Sequence, residues 1–493
     1  MHDSQWPAAK YLTYAFWRSW ILSVYTAPIW SIFAAGEVAS SAFLSMYLFS
    51  TLAYIVVCIL CAVGYRRVAG LLNRRAPMLA LGVASTVGVL LEYVDLGVIG
   101  GGPGALFAAG AILTGVCTAP ISIRAGQIYA HTRPTVAVSN TALSEVASGL
   151  IYFFVAINEP VISLTVVAVL PFMASLMSCL GKVDIEARER SATEAQASRP
   201  VAALARFLVV VFLITFIAYC TRGMFLTENT GQTTRINAIG ISLVVFLSFG
   251  IALICAFSRS FSFTWLYYPI VLLLGIACLV LFTAQGMGKW PLVMVVCIYS
   301  LTSLFNWGML SYAAHSDYWD PIEVFGFGRA AFALGSLAGL IAITWLGLGQ
   351  VGAHATQFLG IGFAAVLVAC VLVIFREKDI VEITNAGWLA SENEKRPDPA
   401  DYEADVLEAG QIETSAPAEV RILTVDEYAD DHNFTRRERE VFPLMLQGRG
   451  SKSIAEKLVI SDNTAKSHIR SIYAKCGVHT RAEFIEATAG LKR

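Results

Sequence analysis

Two basic side chains and a serine near the carboxyl end of the chain have the types and spacing of groups that contact DNA bases. Residues 461–476 read SDNTAKSHIRSIYAKC, and at about 100° per residue Lys466, Ser467 and Arg470 fall on one side of a helix. The opposite side is apolar and carries Ala465, Ile469, Ile472 and Cys476. Lysine and arginine donate hydrogen bonds to guanine O6 and N7, and a serine permits close approach to the groove floor. The pattern therefore predicts a helix that packs on a protein core and enters the major groove of double-stranded DNA.

Other polar residues around this helix are suited to binding the phosphate backbone or to positioning the helix. Ser461 is placed to cap the helix, and Asn463 projects from the same side as the basic residues. Lys452 and Lys475 are candidates for phosphate contacts. Taken alone, a basic amphipathic helix can also lie against lipid headgroups, so this segment leaves both interpretations open.

Three further helices are predicted around this segment. Thr435 followed by Glu438 is a capping box that opens a helix ending near Gly448. Ser451 caps a short second helix, SKSIAEKL. The fourth helix, RAEFIEATAGL, offers a small apolar surface suited to a dimer contact. The four helices predict a compact module in which 461–476 is the third helix.

The whole run FTRREREVFPLMLQGRGSKSIAEKLVISDNTAKSHIRSIYAKCGVHTRAEFIE resembles the LuxR-type (NarL/GerE-like) helix-turn-helix domain. The family pattern T-x-R-E, G, IA-x-x-L, S-x-x-T-x-K-x-H, K-x-G-V and R-x-E is met at each point. The resemblance implies that Lys466, Ser467 and Arg470 contact bases in the major groove. It also implies phosphate contacts at Lys452 and Thr464, and a homodimer formed through the fourth helix.

The charge distribution divides the chain into three parts. Residues 1–375 carry a net charge of +4, residues 376–432 carry −11, and residues 433–493 carry +6. The acidic middle part lacks long apolar runs and contains prolines, which predicts a flexible linker. A basic module behind an acidic segment suggests a nucleic-acid partner. We therefore expect a membrane domain, an acidic linker and a DNA-binding domain in that order.

The first part has the composition of a membrane protein. The chain is 56 % hydrophobic and only 14 % charged, and a bilayer requires apolar runs of about 20 residues. The candidate spans are 13–35, 40–63, 76–96, 104–128, 135–158, 161–181, 204–226, 236–257, 264–286, 290–313, 323–346 and 353–375. Arginine and lysine are concentrated in alternate loops, which predicts that both termini lie in the cytoplasm and that the protein resides in the cell inner membrane.

A longer charged loop after the sixth span divides the spans into two groups of six. Together with the basic segment GYRRVAGLLNRR between the second and third spans, this organisation resembles the major facilitator superfamily. In that family the second-to-third loop begins with glycine and carries an Asp-Arg pair. Here Gly64 and the arginines are present, whereas the aspartate is absent. The resemblance implies an all-α fold with a polytopic bundle of about twelve spans.

Three polar residues inside the predicted spans are candidates for a ligand cavity. Arg124, Asn140 and Glu145 lie in the fourth and fifth spans, where ionisable groups are costly. One interpretation is a polar cavity between the two halves that binds an unknown small molecule or ion. The other is a set of interhelical pairs that hold the bundle together.

The combined features favour a regulator over an enzyme. We find no catalytic constellation, phosphate-binding glycine loop or metal motif in the soluble part, so we expect no enzymatic activity, no cofactor and no metal. The leading hypothesis is a membrane-embedded transcription regulator whose bundle senses a ligand or the envelope state. The alternative is a secondary transporter that carries a DNA-binding feedback tail.

Overall fold

The chain forms two compact units, Met1–Arg396 and Pro397–Arg493. The computed structural model describes residues 9–25, 36–130, 132, 134–180, 200–226, 230–257, 264–283, 290–315, 319–345, 347, 353–384, 425–432, 434–446, 451–458, 462–476, 478, 484 and 488. Over these residues the secondary structure is helical without any strand, which confirms the predicted all-α class.

The first unit is a bundle of long apolar helices. Its helices are α1 Leu12–Tyr25, α2 Gly36–Val63, α3 Tyr65–Leu72, α4 Arg75–Tyr93, α5 Ala105–Ala130, α6 Pro134–Ile157, α7 Pro160–Ser178, α8 Val201–Leu226, α9 Thr230–Phe257, α10 Thr264–Thr283, α11 Trp290–His315, α12 Pro321–Thr344, α13 Ala353–Ala369 and α14 Glu377–Thr384. Short π-helical segments, Val94–Ile99 and Cys370–Ile374, extend α4 and α13.

Twelve helices of the bundle overlap the predicted spans over the described residues. Ten of them, in the part of the chain that the structure describes, are long and apolar enough to cross a membrane. The two others are α1 and α10, whose apolar part Tyr267–Val280 is shorter. Helices suit a bilayer because they satisfy their backbone hydrogen bonds internally. Large apolar side chains such as Phe246 and Phe358 remain about three-quarters exposed on the bundle. The first unit therefore has the architecture of a multi-pass membrane protein.

The bundle has two halves that meet along specific helix pairs. Helices α1, α2 and α4–α7 pack among themselves, as do α8–α13, and the halves touch through α2 against α12 and α6 against α9. Glycine permits close approach at the first of these pairs, because a β-carbon at Gly326 of α12 would lie 2.7 Å from the carbonyl oxygen of Cys58 in α2. A larger residue at Gly326 would therefore separate the halves at this crossing.

The segment after the last span is helical where the prediction placed the start of the flexible linker. Helix α14 packs against α8 and α11, and Phe375, Ile380 and Ile383 join the apolar core of the bundle. Apolar residues at helical spacing allow this helix to bury one face. A prediction from composition misses that face because the region as a whole is acidic.

The second unit begins before the predicted boundary at residue 433. Helix α15 spans Val425–Asp431 and precedes α16 Arg436–Leu446, α17 Ser451–Leu458 and α18 Asp462–Lys475. The ring of Tyr428 in α15 stacks on that of Phe442 in α16 at 5.6 Å. Helix α15, which lies within the last eight residues of the predicted linker, therefore belongs to the carboxyl-terminal core.

Candidate nucleic-acid interface and membrane cavity

The carboxyl-terminal core holds helix α18 by its apolar side. Ala465 and Ile472 are fully buried in a cluster that includes Val441, Phe442 and Ile454. On a helix with 100° per residue, positions 463, 466, 467 and 470 lie on the side opposite to Ala465 and Ile472. Ser467 is exposed on that side. Sequence reasoning assigned one side of α18 to DNA bases. Because the core holds the opposite side, this surface faces away from the protein.

A buried carboxylate connects the first helix of this core to α18. Glu438 is 3 % exposed and forms the predicted capping box, since the Thr435 N–H donates to Glu438 Oε2 at 2.6 Å and the Glu438 N–H donates to Thr435 Oγ1 at 3.4 Å. The Ser471 hydroxyl donates to Glu438 Oε1. Lys475 Nζ donates to Glu438 Oε2 at 2.7 Å. One carboxylate therefore caps α16 and fixes the carboxyl-terminal half of α18.

The environment of Glu438 shifts its pKa strongly. Burial raises the pKa of this carboxyl, but the hydrogen bonds from Lys475, Ser471 and Thr435 outweigh burial and lower the pKa to about 2. The carboxylate is thus ionised at every physiological pH. Sequence reasoning recognised Glu438 only as a capping residue, because its contacts with α18 span more than thirty positions.

Comparison with known proteins identifies this unit. Residues 432–488 match the family described as bacterial regulatory proteins, luxR family. The spore germination protein GerE of Bacillus subtilis is 43 % identical over 51 residues, which are 10 % of this chain and 69 % of GerE. The chain belongs to the luxR family. The oxygen regulatory protein NreC of Staphylococcus aureus is 40 % identical over 52 residues, 10 % of this chain and 24 % of NreC. The chain thus spans only about a quarter of NreC.

The luxR-family domain bonds two residues of α18 to the same carboxylate. Lys475, predicted to bind phosphate, donates to Glu438. Ser471 is half-buried and also donates to Glu438. Both residues lie on the flank of α18 that faces α16, at about 100° from the groove side. Thr464 is exposed near the start of α18.

Several predicted DNA contacts fall outside what the structure describes. These are Ser461 and the side chains of Lys452, Asn463, Lys466 and Arg470. For the last four, the structure describes the helix but not the side chain. In the described part of the chain, no three His, Cys, Asp or Glu side chains come together as a metal site requires.

The three predicted cavity residues of the membrane bundle do not form one site. Glu145 accepts hydrogen bonds from Arg18 Nε at 2.9 Å and from the Tyr14 hydroxyl at 2.9 Å, and both ion-pair partners are buried. Arg124 donates instead to Asn73 Oδ1 and, at 3.2 Å, to Gln127 Oε1. Glu145 and Arg124 therefore fit the interhelical-pair interpretation.

In the part of the bundle that the structure describes, a cavity lies between the two halves. Its empty space of about 600 Å³ includes open solvent, and it is lined by α1, α2 and α5 from one half and by α8, α11 and α12 from the other. Arg124, Asn140 and Glu145 are not part of its described lining. Its charged lining residues are Arg18, Arg222 and Arg329, together with many aromatic side chains. Hydropathy does not reveal which helix faces point inward, so only the structure identifies these arginines as lining residues.

Solved structures with a similar fold are transporters of the major facilitator superfamily. The proton:xylose symporter XylE bound to 6-bromo-6-deoxy-D-glucose has a TM-score of 0.53 and 13 % identity, over 77 % of this chain and 97 % of that one. The human organic anion transporter MFSD10 has a TM-score of 0.52 and 12 % identity, over 76 % and 97 %. At these identities the likeness establishes the fold of the bundle.

Proposed function

We propose that this protein is a one-component transcription regulator embedded in the cell inner membrane. The bundle senses a ligand or the state of the envelope, and the luxR-family domain binds operator DNA. The observation that supports this most directly is the union, in one chain, of a luxR-family DNA-binding domain and a bundle with an internal charged cavity. The function involves no enzymatic reaction, cofactor or metal.

The DNA contacts follow from the placement of α18. We infer that Lys466, Ser467 and Arg470 contact bases in the major groove, because their positions lie opposite the buried side of the helix. Lys452, Ser461, Asn463 and Thr464 bind phosphates or position the helix. Lys475 has the positioning role alone, since its ammonium is held by Glu438.

The domain acts as a homodimer in this proposal, through the fourth helix predicted from the sequence. Two described residues of that region, Phe484 and Thr488, are buried. The ring of Phe484 packs against Phe442 at 5.8 Å. A fourth helix anchored in this way presents its remaining surface to a second copy.

A route from the cavity to the cytoplasmic segment runs through α8 and α11. Both helices line the cavity, through Tyr219, Arg222 and Tyr299, and both contact α14. Arg206 in α8 donates to the fully buried carboxylate of Asp379 in α14, with Nε at 3.1 Å. Because α14 opens the segment that leads to the DNA-binding domain, a shift of α8 on ligand binding would change how that segment is held.

The regulator is preferred to a transporter with a feedback tail. The likeness to transporters has 12–13 % identity, which does not carry transport activity to this chain. The likeness to GerE, at 43 % identity, covers the domain that would act on DNA. Substrate flux through reconstituted protein, absent in a pure sensor, distinguishes the two.

Genome-wide capture of DNA crosslinked to the full-length protein in cells tests the proposal. We expect enrichment of a small set of promoters, and loss of that enrichment in the Arg470→Ala variant at equal protein level. The matched control is Arg124→Gln, an arginine of the membrane bundle, which should retain the enrichment. Promoter-independent recovery of DNA by the unaltered protein would refute sequence-specific regulation.

The topology requires a separate test. Only a carboxyl terminus in the cytoplasm can meet the chromosome, as the basic residues in alternate loops predict. Protease added to intact spheroplasts should leave the luxR-family domain attached, whereas protease added after lysis should release it. Cleavage in intact spheroplasts would contradict the proposed orientation.

A further inference from the structure

The cavity between the halves has an unbalanced positive charge. Arg18, Arg222 and Arg329 line it, and no carboxylate is present among its described lining residues. Arg18 is neutralised by Glu145, which lies behind it. Arg222 bonds weakly to the neutral Asn237 at 3.5 Å. Neither Arg222 nor Arg329 has a carboxylate at ion-pair distance among the described residues, so two guanidinium groups of the cavity have no ionic partner in that part of the chain.

Among the described residues, Arg329 is held in place by neutral groups. Its side chain is 5 % exposed, and its Nε donates to the Tyr54 hydroxyl at 3.3 Å. The guanidinium carbon lies 4.8 Å from the ring centroid of Trp17 and 4.9 Å from that of Phe332. Aromatic rings attract the guanidinium group but do not neutralise its charge.

Two guanidinium nitrogens of the cavity lack partners. Arg329 Nη1 and Arg18 Nη2 are buried and have no hydrogen-bond acceptor among the described residues. A buried, unpaired charged donor is costly. Arginine presents its N–H groups in a planar fork that matches the two oxygens of a carboxylate or the oxygens of a phosphate. Both nitrogens belong to residues that line the same cavity.

The remainder of the lining is suited to a flat apolar group. Trp17, Trp20, Tyr25, Tyr47 and Tyr219 contribute rings to the same wall as the arginines. Aromatic side chains pack against planar ligands by offset or edge-to-face contacts.

We propose that the cavity binds a small organic acid with a planar apolar body, whose anionic group pairs with Arg329. The adjoining rings enclose the body, and Arg222 contributes a second positive charge to the same cavity. The inference rests on the proposed sensing function and names the chemical class of the signal. Because α8 carries Arg222 and α12 carries Arg329, an anion between them draws together two helices that also pack on each other.

Thermal unfolding of the full chain in detergent, followed with a thiol-reactive dye, tests the inference. Eight of the nine cysteines in the bundle are buried, so the dye reports unfolding of the bundle itself. The probes are 1-naphthoate, its neutral counterpart 1-naphthamide, and acetate. We expect 1-naphthoate to raise the unfolding temperature in a saturable manner, and the other two probes to have a much smaller effect.

Variants locate the interaction. In Arg329→Gln the affinity for 1-naphthoate should fall by about 30-fold or more, as expected when one partner of a buried charge pair is removed. Arg329→Lys keeps the charge but loses the planar fork. Its affinity for 1-naphthoate should lie between those of Arg329→Gln and the unaltered chain. The control Arg124→Gln removes a buried guanidinium outside the cavity and should bind normally.

Three results would overturn the inference: equal stabilisation by 1-naphthamide, no saturable stabilisation by 1-naphthoate, or unchanged affinity in Arg329→Gln. The comparison of the first two probes uses the unaltered chain, so it decides the matter even if a variant fails to fold. DNA capture is measured separately. A chain that captures promoters but does not bind 1-naphthoate refutes the ligand class alone, whereas one that binds 1-naphthoate but no DNA refutes the proposed function.

Discussion

Replacing Glu438 with glutamine removes the negative charge that connects α16 to α18. The carboxylate receives hydrogen bonds from the Thr435 backbone N–H, the Ser471 hydroxyl and Lys475 Nζ. These bonds lower the pKa of Glu438 from 4.5 to about 2 against the opposing effect of burial. The substitution therefore tests whether this one carboxylate holds the DNA-binding helix against the rest of the domain.

The pKa difference sets the magnitude of the effect. Stability from a carboxylate with a lowered folded-state pKa is present above the unfolded pKa and is lost as the pH falls towards the folded pKa. A difference of about 2.5 pKa units corresponds to roughly 3 kcal/mol at neutral pH. Lys475 is 30 % exposed, so water screens part of its interaction. We expect Glu438→Gln to lower the free energy of unfolding by about 2 kcal/mol at neutral pH.

Urea unfolding of residues 397–493 at several pH values measures this effect. That fragment is a compact unit with its own apolar core. The parent fragment should lose stability as the pH falls from about 5 to about 3, and the variant should lose less. The matched control is Glu440→Gln on the same helix. Its carboxylate pairs with the exposed Arg437 at 2.6 Å, and its loss should cost less than about 1 kcal/mol. An equally steep loss of stability in Glu438→Gln and in the parent would refute the reasoning.

Further predictions concern DNA binding and the helix that follows the bundle. Lys466→Ala and Arg470→Ala should each cost roughly 1–3 kcal/mol of binding to a captured promoter; equal losses on random DNA would reassign these residues to phosphates. Lys475→Ala should reduce the stability of the domain more than its salt-dependent affinity for DNA, and a smaller salt slope without destabilisation would show a phosphate contact instead. Binding of promoter DNA by residues 397–493 should weaken steeply with salt in gel-shift titrations, because bound phosphates release counterions; a flat profile would exclude phosphate contacts. Asp379→Asn should accelerate hydrogen exchange over residues 377–384, whereas Glu382→Gln, whose carboxylate is half-exposed and 3.9 Å from its arginine partner, should not; equal exchange in the two variants would show that the Asp379 bond does not hold α14.

The lowered pKa of Asp379 supports the last of these predictions. Burial raises the pKa of this carboxyl, but hydrogen bonds from the Arg376 backbone N–H and the Arg206 guanidinium lower it further than burial raises it. The bond should therefore persist at neutral pH and weaken only in acid.

Local sequence patterns were sufficient for the long helices of the bundle and for the capping box and buried side of α18 in the second unit. Apolar runs of about 20 residues predicted the positions of the bundle helices, because a bilayer imposes that length on each one. The Thr435–Glu438 spacing predicted the capping box, and the helical spacing of Ala465 and Ile472 predicted the buried side of α18. Each of these signals depends on residues close together in the chain.

Acidic composition was a poor guide at both ends of the predicted linker. Ile380 and Ile383 are buried against the bundle, and Tyr428 is buried against Phe442. A few apolar residues at helical spacing were enough to dock a short helix on a surface formed by distant parts of the chain. Their binding surface is not visible in the local sequence.

The sequence by itself determined that the chain has a helical membrane bundle and a luxR-family domain, since both depend on short-range periodicity and on a long motif. Only the tertiary structure decided which charged groups meet. It paired Glu145 with Arg18 and Lys475 with Glu438, and it left Arg329 facing an internal cavity whose described lining contains no carboxylate. Electrostatic partners are selected by the packing of helices far apart in sequence, and local patterns carry no information about that packing.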